Sequence, residues 1–237
     1  MKQSIIYLIL LTLTLSSLTQ AQETKDSWIT PLDTCYAQHP KGKSYKHWIP
    51  TVAVVGAGFA LDHLIKVSPN DKAQGNRGVS YLGEAKILAP LSVGLALTGW
   101  AIKDEKLSVT SQKSIEAIVG AAAVTSLLKY TVGRARPYTG ERYDSYYPLK
   151  NKGDDYRSLP SGHATMAFAF FTPFAENYSR WIYLVPIAVS AQRVIEKQHW
   201  PSDVIVGAAI GWGIGYFLAH KKSHRIGMTA NGLCIYF

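Results

Sequence analysis

The chain has 237 residues, a length that suits one domain with a substantial core, and no repeat of fixed period points to a solenoid. Charged residues make up only 17% of the chain, hydrophobic residues 47%, and the mean hydropathy is +0.01. This composition leaves two classes open, a compact all-helical soluble protein or a modest membrane protein. The net charge of +9 suits phosphates, an anionic lipid surface or nucleic acid, although solubility or basic cytoplasmic loops explain it equally well.

Residues 1–21 have the features of a secretory signal peptide. Lys2 supplies the positive start, residues 5–15 are apolar, and Ala21 ends a small-x-small cleavage site. The apolar run is short for a membrane span, so we favour cleavage over an uncleaved anchor. The chain is therefore predicted to be exported, and residues 22–48 form a polar segment before the domain.

Six apolar stretches follow, and their lengths and lack of alternation favour helices over strands. We predict an all-α fold: a bundle of about six helices over 49–222, with the active site at helix ends, then an irregular C-terminal tail at 223–237. Asp62-His63 interrupts the first stretch, as either a satisfied buried pair or a helix end. Cys35 and Cys234 could pair in an oxidising compartment or stay unpaired. The stretches are 49–65, 87–102, 114–130, 163–178, 181–196 and 203–220.

Three groups of polar residues lie at the ends of these stretches, and the first contains Lys129 and, seven residues later, Arg136-Pro137. The planar fork of an arginine suits two phosphate oxygens, and a lysine gives a compact positive charge. Arg134 lies nearby as a third contact. The alternative is a solvated basic helix end that complements the helix dipole.

The second group is Pro160-Ser161-Gly162-His163, which is typical of a turn that leads into a helix. Gly162 allows a close approach to a ligand, and the free N–H groups of the helix would point at an anion. Ser161 adds a hydroxyl donor, and His163 exchanges a proton near neutral pH. The alternative is an N-cap turn in which Ser161 is the cap.

The third group is Arg193, His199 and Asp203. An aspartate within reach of a histidine fixes the tautomer of the ring and stabilises the imidazolium, which leaves the opposite nitrogen to react. Arg193 is a further candidate for phosphate binding. The alternative is an ordinary His-Asp pair on the surface.

The ordered triple Lys-x6-Arg-Pro, Pro-Ser-Gly-His and Arg-x5-His-x3-Asp resembles the signature of the type 2 phosphatidic acid phosphatase and vanadium haloperoxidase superfamily. That superfamily includes lipid phosphate phosphatases, bacterial class A acid phosphatases and vanadium haloperoxidases. Its members usually have a serine immediately before the arginine of the third motif, and here that position is Gln192.

The resemblance implies a phosphatase that works through a phosphohistidine and needs no metal or other cofactor. His199 would attack phosphorus, Asp203 would orient His199, and His163 would protonate the leaving oxygen and then activate water. The phosphate oxygens would be bound by the remaining site residues, which are Lys129, Arg136, Ser161, Gly162 and Arg193.

The site residues recognise phosphate and say little about its carrier, so several functions stay open. The first is hydrolysis of a phosphomonoester or pyrophosphate on a lipid, with membrane association. The others are a soluble periplasmic acid phosphatase for small phosphomonoesters, a vanadate-dependent haloperoxidase and a non-catalytic phosphate-binding protein. None of these binds nucleic acid. If the first stretch does not span a membrane and the other five do, the lysines of 103–106 and the basic run 221–225 would lie inside the cell and the site on the periplasmic face of the inner membrane. A soluble periplasmic bundle satisfies the same constraint.

Overall fold

Seven α-helices make up most of the described part of the chain and confirm the predicted all-α class. The computed structural model describes residues 48–66, 68–69, 77–150, 153–221, 225–229 and 232–236. The predicted signal peptide, nearly all of the polar segment and the two cysteine side chains lie outside the described residues. The helices are α1 (Trp48–Leu61), α2 (Arg77–Tyr81), α3 (Ala85–Ala101), α4 (Glu105–Val132), α5 (Gly162–Asn177), α6 (Leu184–Ile195) and α7 (Pro201–His220).

Helix α4 is longer than the apolar stretch predicted at 114–130. Asp104 caps its start, because the Asp104 side chain accepts a hydrogen bond from the N–H of Leu107 at 3.0 Å. Gly133 ends the helix in the left-handed conformation, with φ of 61°. The first turns of α4 are polar, so the apolar pattern did not predict this part of the helix.

The core lies among α3, α4 and α5, and α5 also packs against α6 and α7. Alanines supply much of this core, which lets the helix backbones approach one another closely. Helix α1 packs on α7. The core residues are Leu88, Ala117, Ile118, Ala121, Met166, Ala169 and Phe170.

Glycines on α7 form its contact with α5. A Cβ atom added at Gly211 would lie 2.2 Å from the carbonyl oxygen of Thr165, and one at Gly207 would lie 2.6 Å from that of Ser161. Any larger residue would push the two helices apart. This close approach brings the start of α7 against the start of α5.

The C-terminal tail corrects one part of the predicted fold, because two strands replace the irregular tail. Strands β1 (Arg225–Thr229) and β2 (Gly232–Tyr236) pair antiparallel, with Ile226 opposite Ile235 and Met228 opposite Leu233. Apolar residues therefore occupy facing positions in the register.

Helices α4 and α7 are long and apolar enough to cross a membrane, judged by length and composition. Large apolar side chains are also exposed on the bundle, including Leu127 on α4 and Phe217 on α7. Exposed apolar surface on this scale marks a contact with lipid or protein. These features favour association of the chain with a membrane.

Candidate active site

The predicted site residues come together at one end of the bundle, where α4 and α6 end and α5 and α7 begin. Lys129 lies in the last turn of α4 and Arg193 in the last turn of α6. Ser161, Gly162 and His163 lie at the start of α5, Asp203 lies in the first turn of α7, and Arg136 and His199 lie in the connecting loops.

Short contacts between the helix starts fix this arrangement. The N–H of Ser161 donates to the carbonyl oxygen of Asp203 at 2.9 Å. A Cβ atom added at Gly162 would lie 3.7 Å from Cε of Lys129, so the lysine stem passes directly over the glycine. That distance is ordinary van der Waals contact, so Lys129 lies against the start of α5 at Gly162.

His199 is held in a single tautomer by the backbone of Ser158. Its Nδ1 atom lies 2.8 Å from the Ser158 carbonyl oxygen, which can only accept a hydrogen bond, so Nδ1 carries the proton. The ring is only 2% exposed. Burial first, and then the charges of Arg136 and Lys129, lower the pKa of His199 to about 3. The ring is therefore neutral near pH 7, and its Nε2 carries a lone pair.

The Asp203 carboxylate acts on His199 through Ser158 rather than by a direct hydrogen bond. Its Oδ2 lies 3.9 Å from Nδ1 of His199, which is too far for one. Oδ2 instead accepts from the Ser158 hydroxyl and, at 3.0 Å, from the N–H of Trp200. Oδ1 accepts from Arg134 at 2.6 Å. No pattern in the sequence marks Ser158 as the residue between the pair.

His163 lies among the cations of the site. Burial first, and then the charges of Arg193, Lys129 and Arg136, lower the pKa of His163 to about 4, against an opposing effect of Glu84. A bound anion would offset these cations and favour the protonated ring. His163 can therefore give up and take up a proton when an anion binds and leaves.

Two buried donors of the predicted phosphate-binding set have no hydrogen-bond partner among the described residues. They are the hydroxyl of Ser161, which is 0% exposed, and Nε of Arg193. Ser161 lies at the N-cap position of α5, as the alternative predicted, but its side chain makes no capping hydrogen bond. Another nitrogen of Arg193, Nη2, donates to the hydroxyl of Ser80 and pairs with Glu196. This pairing orients the guanidinium.

The other two predicted cations contact the loop 153–157. Nζ of Lys129 donates to the carbonyl oxygen of Arg157 at 2.7 Å, which leaves its other N–H groups for a ligand. Arg136 pairs with Asp154 at 2.7 Å, and the Asp154 side chain is 74% exposed. An exposed partner is readily exchanged for a phosphate oxygen because solvent weakens such pairs.

Arg134 is not a phosphate contact, which corrects the hypothesis drawn from the sequence. It is fully buried, and each of its five N–H groups has an acceptor. Nε and one N–H of Nη2 donate to the carbonyl oxygen of Tyr143, and the other N–H of Nη2 donates to Asp62. Nη1 donates to Ser202 and Asp203. A guanidinium with all donors in use has none for a ligand.

Gln192, at the position where serine is usual, supports Arg193 from the side. Its Nε2 donates to Oε1 of Glu196 at 2.6 Å and lies 3.3 Å from the hydroxyl of Ser80. Both acceptors also contact Arg193. The Gln192 side chain therefore contacts the two residues, Ser80 and Glu196, that orient Arg193.

The described residues contain no group of three His, Cys, Asp or Glu side chains arranged to hold a metal ion. The positive charge at the site comes from Lys129, Arg136 and Arg193, which surround His163. Whether the reaction proceeds without a metal stays a prediction.

Comparison with known proteins gives the family. Residues 113–226 match the family model of the PAP2 superfamily. The chain is 28% identical over 190 residues to a lipid A 1-phosphatase from Porphyromonas gingivalis, covering 76% of this chain and 39% of that protein. It is 36% identical over 99 residues to a lipid A 1-phosphatase from Rhizobium etli, covering 40% and 42% of the two. The chain thus spans about two fifths of the length of these relatives.

Among solved structures, the fold is similar to a crystal structure of a transmembrane PAP2 type phosphatidylglycerolphosphate phosphatase from Bacillus subtilis. The TM-score is 0.47 at 18% identity, with 74% of this chain and 85% of that chain covered. All eight predicted site residues lie within the segment that matches the family model. The segment 113–226 of this chain is similar to the PAP2 superfamily.

Proposed function

We propose that this chain is a phosphatase that hydrolyses a phosphomonoester or pyrophosphate of a lipid through a phosphohistidine at His199. The observation that carries the proposal is the pair of unpartnered buried donors, Ser161 Oγ and Arg193 Nε, together with a neutral His199 whose backbone N–H donates to the Arg193 carbonyl oxygen. A buried donor without an acceptor costs free energy, and an anion would supply the acceptors.

The phosphoryl group binds at the start of α5. Its oxygens accept hydrogen bonds from Ser161 Oγ, Arg193 Nε and the free N–H groups of the first helical turn. Lys129 and Arg136 add positive charge where negative charge collects in the transition state. Because these donors are already in place, little reorganisation accompanies the reaction.

The chemistry proceeds in two displacements. Nε2 of His199 forms a bond to phosphorus as the bond from phosphorus to the leaving oxygen breaks, and protonated His163 gives its proton to that oxygen. The positive ring is stabilised by the Ser158 carbonyl and by Asp203 nearby. His163 then takes a proton from water, the water oxygen attacks phosphorus, and the bond to Nε2 breaks to release phosphate.

An apolar groove on the bundle is our candidate for the surface that holds the hydrocarbon part of a lipid substrate. Its volume is about 330 Å³, and it opens between α1, α5 and α7. Ile205 and Trp212 on α7 lie about 3 Å and about 14 Å along the helix from Asp203, given the helical rise. Both residues lie about half a turn around α7 from Asp203, so a hydrocarbon chain in the groove would reach the site past the start of α7. The lining residues are Val54, Val55, Phe168, Ile205, Ala208, Ala209 and Trp212.

The relatives support the same class of substrate, because both are lipid A 1-phosphatases by name. We propose a lipid phosphate as the substrate of the PAP2 domain, within a phosphatase domain at 49–222 that follows a cleaved signal at 1–21. A small soluble phosphomonoester is the alternative substrate.

We also propose that the site faces the periplasm. Lys103 and Lys106 lie at the start of α4 and Lys221 at the end of α7, opposite the site end of both helices. Cytoplasmic ends of spanning helices carry an excess of lysine and arginine. A membrane-impermeant thiol reagent on intact cells tests this: a cysteine at position 103 should stay unlabelled until the cells are opened. Labelling in intact cells would contradict the orientation.

The deciding experiment for the reaction compares substrates on the full chain in detergent. Phosphate release is measured from lipid A 1-phosphate, phosphatidate, an isoprenoid diphosphate and a small chromogenic phosphomonoester, each with and without a chelator. We expect faster release from a lipid, no effect of the chelator, and no release by His199→Ala. Chelator-sensitive turnover or an active His199→Ala protein would overturn the mechanism. A fully soluble protein that acts only on the chromogenic substrate would favour the acid phosphatase.

A further inference from the structure

Asp62 is a fully buried carboxylate far in sequence from every motif of the site. It lies in the 3-10 turn Asp62–Leu64 that follows α1. Its oxygens accept from the N–H of Ser202 at 3.0 Å, the hydroxyl of Ser202 at 2.6 Å and Nη2 of Arg134 at 2.7 Å. Buried charge at this density is tolerated only when it is paired and hydrogen-bonded, as it is here.

Arg134 joins this carboxylate to that of Asp203. Its Nη1 donates to Oδ1 of Asp203 at 2.6 Å while its Nη2 donates to Oδ2 of Asp62. The planar guanidinium therefore sets the relative position of two carboxylates that are far apart in the sequence. It also ties both to the carbonyl oxygen of Tyr143 in the loop after α4.

The two oxygens of Asp203 have separate partners as a result. Oδ1 contacts Arg134, and Oδ2 contacts the Ser158 hydroxyl and the N–H of Trp200. The same Ser158 accepts from Nδ1 of His199 through its carbonyl. Rotation of the Asp203 carboxylate would break bonds on both sides, so its orientation depends on Arg134 and, through Arg134, on Asp62.

We propose that Asp62 and Arg134 are positioning residues for the reaction, which hold Asp203 and Ser158 so that His199 keeps the ring orientation needed for attack. The inference rests on the proposed function for its kinetic test only. Neither residue contacts the phosphoryl group. The competing explanation is a purely structural pair that fastens the end of α1 to the loop after α4.

The kinetic test compares Asp62→Asn and Arg134→Lys with the full-length wild type in detergent, per active site. Each variant keeps similar size but loses a charge or the planar fork. We expect kcat to fall about 10- to 100-fold with KM changed by less than about 3-fold, as for other residues that orient catalytic groups. A purely structural pair would lower the melting temperature and the active fraction and leave kcat per site unchanged.

Matched controls come from Arg142 and Asp144 in the same loop, which form an ion pair with 73% and 51% of their side chains exposed. Arg142→Lys and Asp144→Asn should leave kcat within about 2-fold of the wild type, as is usual for exposed pairs. Ser202→Ala is a milder test if the buried variants unfold, because it removes one hydrogen bond to each partner and no charge. We expect its kcat to fall about 3- to 10-fold.

The route through Asp203 is tested by combining substitutions. If Asp62 acts only through Asp203, then Asp62→Asn should lower kcat by less than about 2-fold further when Asp203→Asn is already present. If the fold-losses in kcat of Asp62→Asn and Asp203→Asn instead multiply in the double variant, the proposed route is wrong. Wild-type kcat in both Arg134→Lys and Ser202→Ala would overturn the proposal as a whole.

A measurement without turnover separates this proposal from the proposed function. Long-range proton–nitrogen spectra, with His199 assigned by difference against His199→Ala, should show one Nδ1–H tautomer in the wild type. Arg134→Lys or Ser202→Ala should shift the Nδ1 signal of His199 while the Nδ1–H tautomer persists, because the Ser158 carbonyl still accepts from Nδ1. An unchanged His199 signal in both variants would refute the positioning role, even if the wild type hydrolysed no phosphate at all.

Discussion

The Nδ1 atom of His199 lies 2.8 Å from the carbonyl oxygen of Ser158, while the hydroxyl of the same serine donates to Asp203. Ser158 thus contacts both members of the predicted pair at once. Because a carbonyl cannot donate, the backbone fixes the tautomer of the ring. The carboxylate contributes charge and holds the serine, and it does not bind the imidazole directly.

A first prediction follows for Ser158→Ala, which keeps the carbonyl and removes the hydroxyl. We expect kcat to fall about 10-fold, because the tautomer persists while the link to Asp203 is lost. His199→Ala should lower kcat by at least about 1,000-fold, since it removes the nucleophile itself. Initial rates of phosphate release at saturating substrate measure both. Equal losses for the two variants would mean that the hydroxyl is as essential as the ring.

A second prediction concerns stability at low pH. The folded-state pKa values of His163 and His199 are lowered to about 4 and about 3, below the ordinary 6.5. The unfolded chain therefore binds more protons than the folded chain below about pH 6.5, so stability falls as the pH drops. Each histidine contributes about 1.4 kcal/mol per pH unit within that window.

The melting temperature between pH 7 and pH 5.5 measures this effect. His199→Ala should show a shallower decline, because one of the two groups is gone. Inorganic phosphate should oppose the decline, since a bound anion pairs with the protonated rings. A melting temperature that does not change over this range would contradict the prediction.

A third prediction concerns the contact between α5 and α7. Gly211→Ala should unfold or strongly destabilise the protein, because the new Cβ would lie 2.2 Å from the carbonyl oxygen of Thr165 and 2.9 Å from the N atom of Ala169. Gly213 on the same helix has no atom within 4 Å of an added Cβ. Gly213→Ala should be neutral or stabilise by up to about 1 kcal/mol through helix propensity. Thermal unfolding compares them, and equal stability would show that α7 can shift freely.

A fourth prediction concerns the apolar groove. Ala208→Trp would fill it and should raise KM for a lipid phosphate about 5- to 10-fold, because the hydrocarbon chain loses buried contact. KM for a small chromogenic phosphomonoester should stay within about 2-fold. Ala123→Trp on the exposed face of α4 is the matched control. It should change KM for neither substrate. Equal effects of Ala208→Trp on both substrates would place the chain of the lipid elsewhere.

The sequence predicted the helices well where apolar residues continue to the helix end and less well elsewhere. The stretch at 203–220 nearly matches α7, because Pro201 marks its start. The start of α4 was missed, because Asp104 caps a first turn of polar residues. The hairpin at the C-terminus was missed as well, since cross-strand pairing depends on two segments that a single pattern does not join.

The residues that orient the site were also not predictable from local sequence patterns. Asp62 was visible only as a carboxylate inside an apolar stretch, and Ser158 carried no signal at all. Both act through partners 140 and 41 residues away, Ser202 and His199. Contacts over such separations depend on how helices pack, which local spacing does not encode.

The sequence by itself predicted eight candidate residues of a phosphate site, because their order and spacing across three motifs resemble those of the family whose model matches residues 113–226. Only the tertiary structure decided which of the arginines has a donor to offer. Each of the five N–H groups of Arg134 donates a hydrogen bond within the protein. Nε of Arg193, in contrast, has no hydrogen-bond acceptor among the described residues. The physical reason is that the packing of distant segments, and not the residue type, decides whether a buried donor is already satisfied.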